Sequence, residues 1–388
     1  MNGSTIITLN PNAVKNNIAF LRKQYGKKVK ISSVLKANAY GHGIEQMVPM
    51  LEKAGVDHFS VFEYDEAVRI YRSLSAPAAI VIMGWISDRN LKTSIQTGFE
   101  FFVFNIDRLK KSLAIARQLK TTAKIHLEAE TGMNRTGLNT NQLKEAISIL
   151  LNNPESFEIM GFCTHLAGPE SISNHLRVQR QLKIYQQMLL LLNQNNIKPK
   201  YRHVANSAAS MVYPATRMDL VRVGIMQYGF WSSAEIFIHY IGNKPEMVDP
   251  LHRVLDWKSQ IMSIKDVNIG EFVGYGVSYL AQTKLKMAIV PVGYSNGYSR
   301  SLSNKGRVLV RGIRCSVIGL VNMNMIAIDV TNVDNVTEGD EVVIIGKQAD
   351  LEIKVSAFSD ISNMLNYEVL SHLPKNIERK VLNGSNGG

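Results

Sequence analysis

Between residues 30 and 223 the chain repeats one pattern eight times: a short apolar or β-branched run, then in most cases a segment with helical spacing. The runs are KISSVL (30–35), HFSVF (58–62), AIVIM (79–83), FFVFN (101–105), AKIHLEA (123–129), EIMGFCT (158–164), YRHVA (201–205) and DLVRV (219–223). RLKKSLAIARQL (108–119) and HLRVQRQLKIYQQMLLLLN (175–193) read as two of the helices between them. The second places Leu182, Tyr185, Leu189 and Leu192 on one face. Runs this apolar suit strands covered on both sides, and helical crossovers are what parallel strands require. Eight such units predict a (β/α)8 barrel. A doubly wound open sheet meets the same count, and counting strands does not separate the two.

Flanking segments complete the layout. Asn10 suits the cap and Pro11 the first position of a helix with Val14, Ile18 and Leu21 on one face, and Gly26 suits its stop. At 388 residues the chain exceeds one ordinary core. After about residue 245 its texture changes. LDWKSQIMSIKDV (255–267), KMAIVPVGY (286–294), GRVLVRG (306–312), CSVIGLV (315–321), MIAIDV (325–330) and DEVVIIG (340–346) alternate with Gly, Asn and Asp turns, and VSAFSDISNML (355–365) is the next helical segment. The expected organisation is an α/β chain with an N-terminal (β/α)8 TIM-type barrel (1–245) and a mostly-β C-terminal domain (246–388). NKPEMVDPL (243–251) forms the boundary, residues 1–9 are a candidate strand of the second domain, and 383–388 form a frayed tail.

Composition narrows the function. No run of eighteen apolar residues occurs, so no transmembrane helix is expected, and the N-terminus lacks the form of a secretory signal. Two isolated cysteines, Cys163 and Cys315, fit a reducing, cytoplasmic compartment. A net charge of +12 invites an anionic partner. The charges are scattered, however, and the longest basic cluster (22–30) lacks repeated aromatic interleaving, so neither nucleic acid nor membrane is expected as a partner.

In barrel enzymes the chemistry sits at the C-terminal ends of strands. Lys36 directly follows the first run. Desolvation there would lower its pKa, and a neutral amine can form a Schiff base with a carbonyl. A lysine snorkelling at a strand edge has the same position. Asn134 and Arg135 follow the fifth run, His165 the sixth, Asn206 and Ser207 the seventh, and Arg222, Gly224 and Ile225 lie in or after the eighth. The loops after strands seven and eight are a common place for a phosphate, where backbone N–H groups favour an anion. Singly, each of these residues has a structural use. Together they set a lysine, a phosphate cradle and two arginines at one end of one barrel.

This set resembles the alanine racemases, a family of fold-type III pyridoxal-phosphate (PLP) enzymes. VLKANAYGHG (34–43) resembles the family's PLP-lysine motif and ETGMNRTG (130–137) its substrate-arginine motif. GYGVSY (274–279) resembles the segment carrying a catalytic tyrosine, and PVGYSNGYSR (291–300) and GLVNMNMIAIDV (319–330) resemble the two motifs after it. NYEVLSHLP (366–374) resembles a C-terminal motif with a phosphate-contacting tyrosine. The match runs from TLNPNAVKNNIAFLR (8–22) to about residue 375.

The resemblance implies a homodimer that shares active sites, acts on a small amino acid and makes D-alanine for peptidoglycan. Lys36 would hold PLP and serve one face of the substrate, and Tyr275 of the partner subunit the other. A hydrogen-bond chain through His165 to Arg222 would support the phenolate of Tyr275. Arg222 would contact the pyridine nitrogen, and because arginine stays protonated up to pH ~12 it would not hand over a proton. Tyr40, Ser207, Gly224, Ile225 and Tyr367 would contact the phosphate, with Asn206 in support. Arg135 and the backbone of Met323 would hold the substrate carboxylate. Tyr294 would line the entrance, or equally pack as a β-domain aromatic. No metal is implied. Two departures stand out. Where many relatives carry a carbamylated lysine this chain has Glu128, expected to orient Arg135 as a permanent carboxylate. The usual Cys-Met-Asp stretch reads Asn322, Met323, Asn324, which leaves breadth toward serine or other small amino acids open. A PLP-dependent decarboxylase would want a His-x-Gly-Ser motif, which THLAGPE (164–170) matches poorly. A non-catalytic PLP-binding protein would want a barrel alone.

Overall fold

The computed structural model describes residues 3–242, 247–362 and 365–383. The expected boundary at 245/246 and the tail residues 384–388 lie outside the described residues. The chain divides into two compact units. One comprises residues 13–36 and 47–252, the other residues 1–12, 37–46 and 253–388.

After an N-terminal strand, β1 (Thr5–Leu9), the first of these units contributes β2 (Lys30–Val34), β3 (His58–Val61), β4 (Ala79–Ile82), β5 (Glu100–Val103), β6 (Ala123–Glu128), β7 (Phe157–Cys163), β8 (Tyr201–His203) and β9 (Leu220–Val223). The sheet order is β8-β7-β6-β5-β4-β3-β2-β9. β2 pairs in parallel with both β3 and β9, which bends the sheet back on itself. β8 and β9 do not pair as regular strands. An Asn206–Arg222 bridge and the Arg222 N–H donating to the Ala205 carbonyl at 3.1 Å span the gap. The result is a nearly closed eight-stranded parallel barrel rather than an open sheet, and it settles the alternative left by strand counting. β3, β5 and β9 are buried along their whole length, as strands covered on both faces must be.

Local signals act as their chemistry requires. The first helix spans Pro11–Tyr25; Asn10 Oδ1 accepts from the Asn12 N–H at 2.9 Å, and Gly26 ends the helix with φ 82°. His175–Gln194 forms the long helix, burying Val178, Gln181, Tyr185, Met188, Leu189 and Leu192. No helix among the described residues is long and apolar enough to cross a membrane.

The second unit is built on one sheet. Its strands are β10 (Leu255–Gln260), β11 (Ser263–Val267), β12 (Leu285–Val290), β13 (Arg307–Val310), β14 (Ile313–Ile318), β15 (Ile326–Asp329), β16 (Glu341–Gln348), β17 (Leu351–Ile353) and β18 (Glu378–Val381). The order is β11-β12-β15-β14-β13-β16-β10-β1-β18, with β17 on β16. β1 pairs antiparallel with β10 and parallel with β18. The apolar run 255–267 is two strands, not one. At Ile261–Met262 the backbone changes partners, from Asp340 beside β16 to Ile289 in β12.

Two buried histidines make stability depend on pH. Burial pushes His58, inside the barrel, from 6.5 down to about 4, with Glu100 opposing only in part. Burial does the same to His42, also to about 4. In the unfolded chain both take up a proton near pH ~6.5, whereas the folded chain resists until about 4. The native state therefore binds fewer protons in that window, and stability falls as the pH is lowered through it. Each histidine should contribute on the order of 2 kcal/mol to the loss. Urea midpoints at about pH 7 and about pH 4.5 measure it, and equal midpoints would contradict the assignment.

Candidate active site

The end of β2 is clamped from β9's side of the barrel. Gln227 Nε2 and Tyr228 Oη both donate to the Val34 carbonyl, at 3.0 and 2.9 Å, and Ser33 Oγ donates to Gln227 Oε1 at 2.6 Å. The chain then turns in a way L-residues avoid. Ala37, Asn38, Ala39 and Tyr40 have φ between 51° and 56° in succession, followed by Gly41 at 77°. Each non-glycine residue there costs ~1–2 kcal/mol, so the turn exists because the fold imposes it. Gly41 is needed for a second reason: a Cβ would stand 2.1 Å from the Leu370 carbonyl oxygen.

Lys36 sits between the clamp and the turn. It reaches solvent, yet the surrounding protein desolvates its amine and lowers its pKa, and the charges of Arg135 and Arg222 lower it further against Glu66. That environment favours the neutral, nucleophilic form of the amine over the charged one. Arg222 is buried. Its guanidinium donates to His203 Nδ1 at 2.6 Å and to the carbonyls of His203 and Thr164 at 2.8 Å. Burial, then Arg222, Arg135 and Lys36, push His165 down to about 3, so its ring is neutral at pH ~7.

Two expected contacts are not made. Among the described residues no hydrogen bond joins the His165 ring to Arg222, because the Arg222 guanidinium turns inward to His203 and Thr164. Nor does Glu128 pair with Arg135. Glu128 is buried in the barrel with its carboxylate hydrogen-bonded to Thr136, while Arg135 is exposed on the loop beyond it. Burial raises the Glu128 pKa, with Thr136, Arg222 and Arg135 acting the other way. Its influence on Arg135 acts through space.

The loops after β8 and β9 come together as expected of an anion cradle. Asn206 Oδ1 accepts from the Ala209 N–H at 2.9 Å and caps the short helix Ser207–Val212. Ser207 Oγ accepts from the Gly224 N–H at 2.9 Å. The buried Ile225 opens a 3-10 turn, and its N–H meets no acceptor among the described residues. A buried backbone donor without a partner is rare, and an anionic oxygen would satisfy it. Lys36, this cradle and Arg222 suit an aldehyde, a phosphate and a ring nitrogen, so these residues fit PLP.

The remaining expected residues belong to the second unit. Tyr40 and Tyr367 have ring centroids 6.0 Å apart. Tyr275 crowns the hairpin between Phe272 and Leu280, flanked by Gly274 and Gly276 at φ 72° and 67°. It is 72 % exposed, with Val273, Ala281 and Leu285 buried beneath the hairpin. Met323 is 56 % exposed; its carbonyl accepts from the Ser295 N–H and hydroxyl, at 2.9 and 2.8 Å. The Tyr294 N–H donates to the Asn322 carbonyl at 3.0 Å, so Tyr294 and Met323 are neighbours. Gly293 permits this approach, since a Cβ would lie 2.2 Å from the Asn322 oxygen.

Sequence reading missed the supports: Gln227, Tyr228, His203, and Gln181, whose amide donates to the His165 carbonyl at 3.0 Å and accepts from the Ala167 N–H at 2.8 Å. Gln181 carried a signal, a polar residue on the buried face of an amphipathic helix.

Comparisons with known proteins agree with this geometry. The family descriptions "Alanine racemase, N-terminal domain" and "Alanine racemase, C-terminal domain" match residues 9–231 and 254–381. The alanine racemase of Leptospira interrogans is 31% identical over 98% of this chain and 96% of its own. That of Desulforamulus reducens is 33% identical over 96% and 97%. The crystal structure of the Bacillus anthracis alanine racemase with bound L-Ala-P superposes with a TM-score of 0.89 at 27% identity, covering 98% and 96% of the two chains. The Bartonella henselae alanine racemase, with covalently bound pyridoxal phosphate, gives 0.84 at 25% identity, covering 98% and 100%. Both domains and nearly the full length are matched, and the chain belongs to the alanine racemase family of isomerases.

Proposed function

We propose that this protein interconverts L- and D-alanine with PLP as cofactor, by two acid/base groups, Lys36 and Tyr275 of the partner subunit. The observation that carries the reading is Lys36: an amine of lowered pKa at a strand end, near two arginines and on the barrel that carries an anion cradle. PLP supplies an electron sink for the carbanion left when the α-proton departs.

The chain's own residues do the rest. Lys36 Nζ would hold the cofactor and would hold or give a proton on one face of the substrate. Tyr275 Oη of the partner subunit does so on the other. Its exposure in the single chain supports a homodimer with shared sites. Ser207, Gly224, Ile225, Tyr40 and Tyr367 take the phosphate, with Asn206 holding the loop. Arg222 meets the ring nitrogen as a donor. Neutral His165 orients the phenol. Arg135 and the Met323 N–H take the substrate carboxylate, Glu128 biases Arg135 by its charge, and Tyr294 borders the entrance. We assign PLP binding to residues 1–245, with Tyr367 added from residues 246–388, the segment that also carries Tyr275. The product serves peptidoglycan, and buried free Cys163 and Cys315 fit a cytoplasmic setting.

The deciding experiment incubates purified protein with PLP and L-alanine in heavy water. Loss of optical rotation together with α-deuterium incorporation is expected. Carbon dioxide release would mean a decarboxylase, and the absence of exchange a PLP carrier. The same assay with serine measures breadth. Arg135→Leu should raise KM for alanine roughly 10- to 100-fold, the worth of a charge-assisted pair to a carboxylate. An unchanged KM would remove Arg135 from the substrate site.

A further inference from the structure

The barrel interior carries a polar line that stability does not account for. Inward side chains of such barrels are expected to be bulky and branched. Here β5, β6, β8 and β9 instead send in Glu100, His126, His203 and Arg222, exposed by 3%, 0%, 1% and 5%. They join end to end. Arg222 Nη1 lies 2.6 Å from His203 Nδ1, His203 Nε2 lies 2.8 Å from His126 Nδ1, and His126 Nε2 lies 2.7 Å from Glu100 Oε2.

The chemistry of arginine fixes the direction of every link. A guanidinium has donors only, so His203 Nδ1 must accept and its proton must sit on Nε2. That proton is donated to His126 Nδ1, which places the His126 proton on Nε2, facing the carboxylate. Both rings are neutral and each has one tautomer. Burial, with Arg222, holds His203 well below the ordinary imidazole range. Burial alone would raise the Glu100 pKa, but the hydrogen bond it accepts from His126 leads the opposing interactions, and the carboxyl is lowered. On its other side Glu100 meets His58 Nε2 at 3.9 Å, while His58 Nδ1 pairs with Ser32 Oγ at 2.9 Å.

The backbone is shaped for this line. β7 runs between β6 and β8, and Gly161 stands opposite His126 after a register shift that follows the Ile125–Ile159 pair. A Cβ at Gly161 would come within 2.1 Å of His126 Nδ1 and 2.6 Å of His203 Nε2. A bare position and a bulge together leave room for the two rings.

A buried cation and carboxylate separated by two neutral rings stabilise a fold poorly compared with apolar packing. We propose that Glu100, His126 and His203 are positioning residues that hold Arg222 in one orientation as a donor-only cation for the ring nitrogen of PLP. The inference rests on the proposed function for that role of Arg222, while the hydrogen-bond direction stands apart from it.

The test has two readouts. In full-length holoenzyme labelled with 15N-histidine, NMR should show His203 and His126 neutral, protonated on Nε2 and bare on Nδ1. Glu100→Leu removes the terminal acceptor. With Arg222 still fixing the tautomers, it should leave the His126 Nε2–H without its acceptor, shift the His126 Nε2 resonance and lower kcat ~10-fold or more while KM for alanine stays within ~2-fold. Glu100→Gln retains an acceptor oxygen and should restore that resonance and most of kcat. Either ring protonated on Nδ1 in the unmutated enzyme would overturn the proposal, and so would a folded leucine variant with an unchanged His126 resonance and kcat. If the leucine variant does not fold, the tautomers of the unmutated enzyme and the kcat of the glutamine variant decide. An enzyme inert toward alanine would refute the proposed function and leave the tautomer result intact.

Discussion

Lys36→Ala should leave the protein folded, abolish covalent attachment of PLP and lower racemisation by ~10³-fold or more. Two losses combine. The amine proposed to bind the cofactor would be gone, and with it the proposed proton carrier on one face. The expectation depends on environment as much as on residue type. Lys36 stands where desolvation and the charges of Arg135 and Arg222 favour its neutral form. Because it is solvent-accessible, its removal leaves no buried cavity and should disturb stability little. Borohydride reduction followed by peptide mapping reads the attachment directly, and retained labelling at another lysine would displace Lys36 from its role.

Tyr275→Phe should keep PLP bound and lower racemisation ~10²- to 10⁴-fold, the usual worth of one acid/base group. The ring remains and only the hydroxyl departs, so binding should change little. Tyr275 projects from its hairpin and is 72 % exposed, which suits a group delivered to another subunit. Mixing distinguishes the arrangements. In a dimer of one Lys36→Ala chain and one Tyr275→Phe chain, a shared-site geometry rebuilds one intact site. Randomly exchanged subunits should then recover about one quarter of unmutated activity. If lysine and tyrosine of the same chain worked together, no site would be rebuilt and mixing would recover nothing.

The sequence was most informative where a local rule and the tertiary role agreed. The apolar runs became barrel strands within a residue or two, because strands buried on both faces have little freedom in composition. Asn10, Pro11 and Gly26 bounded the first helix for capping reasons that need no partner. Lys36, Ser207 and Gly224 lie beyond strand ends, the positions at which a barrel is searched for chemistry. What stayed hidden was long-range. Ser33 meets Gln227 only once the barrel closes. His126 in AKIHLEA reads as an interruption of an apolar run until His203 arrives from 77 positions away. The break at Ile261–Met262 follows from a change of partner strand, which no local propensity records. The expected Glu128–Arg135 contact is not made because charge equivalence does not record a competing partner, and the Glu128 carboxylate bonds Thr136.

The left-handed turn at Ala37–Tyr40 bears on what a shared motif can testify to. Side chains branched at Cβ are strongly disfavoured at φ between 51° and 56°, whatever the chemistry nearby. Residues 37–40 are therefore filtered by backbone shape before any selection for catalysis acts on them. Agreement between two proteins there is a record of inherited geometry, and a descendant that had lost all activity would still tend to retain it. Lys36 carries no such steric obligation, and its persistence or loss alone would tell a working lineage from a retired one.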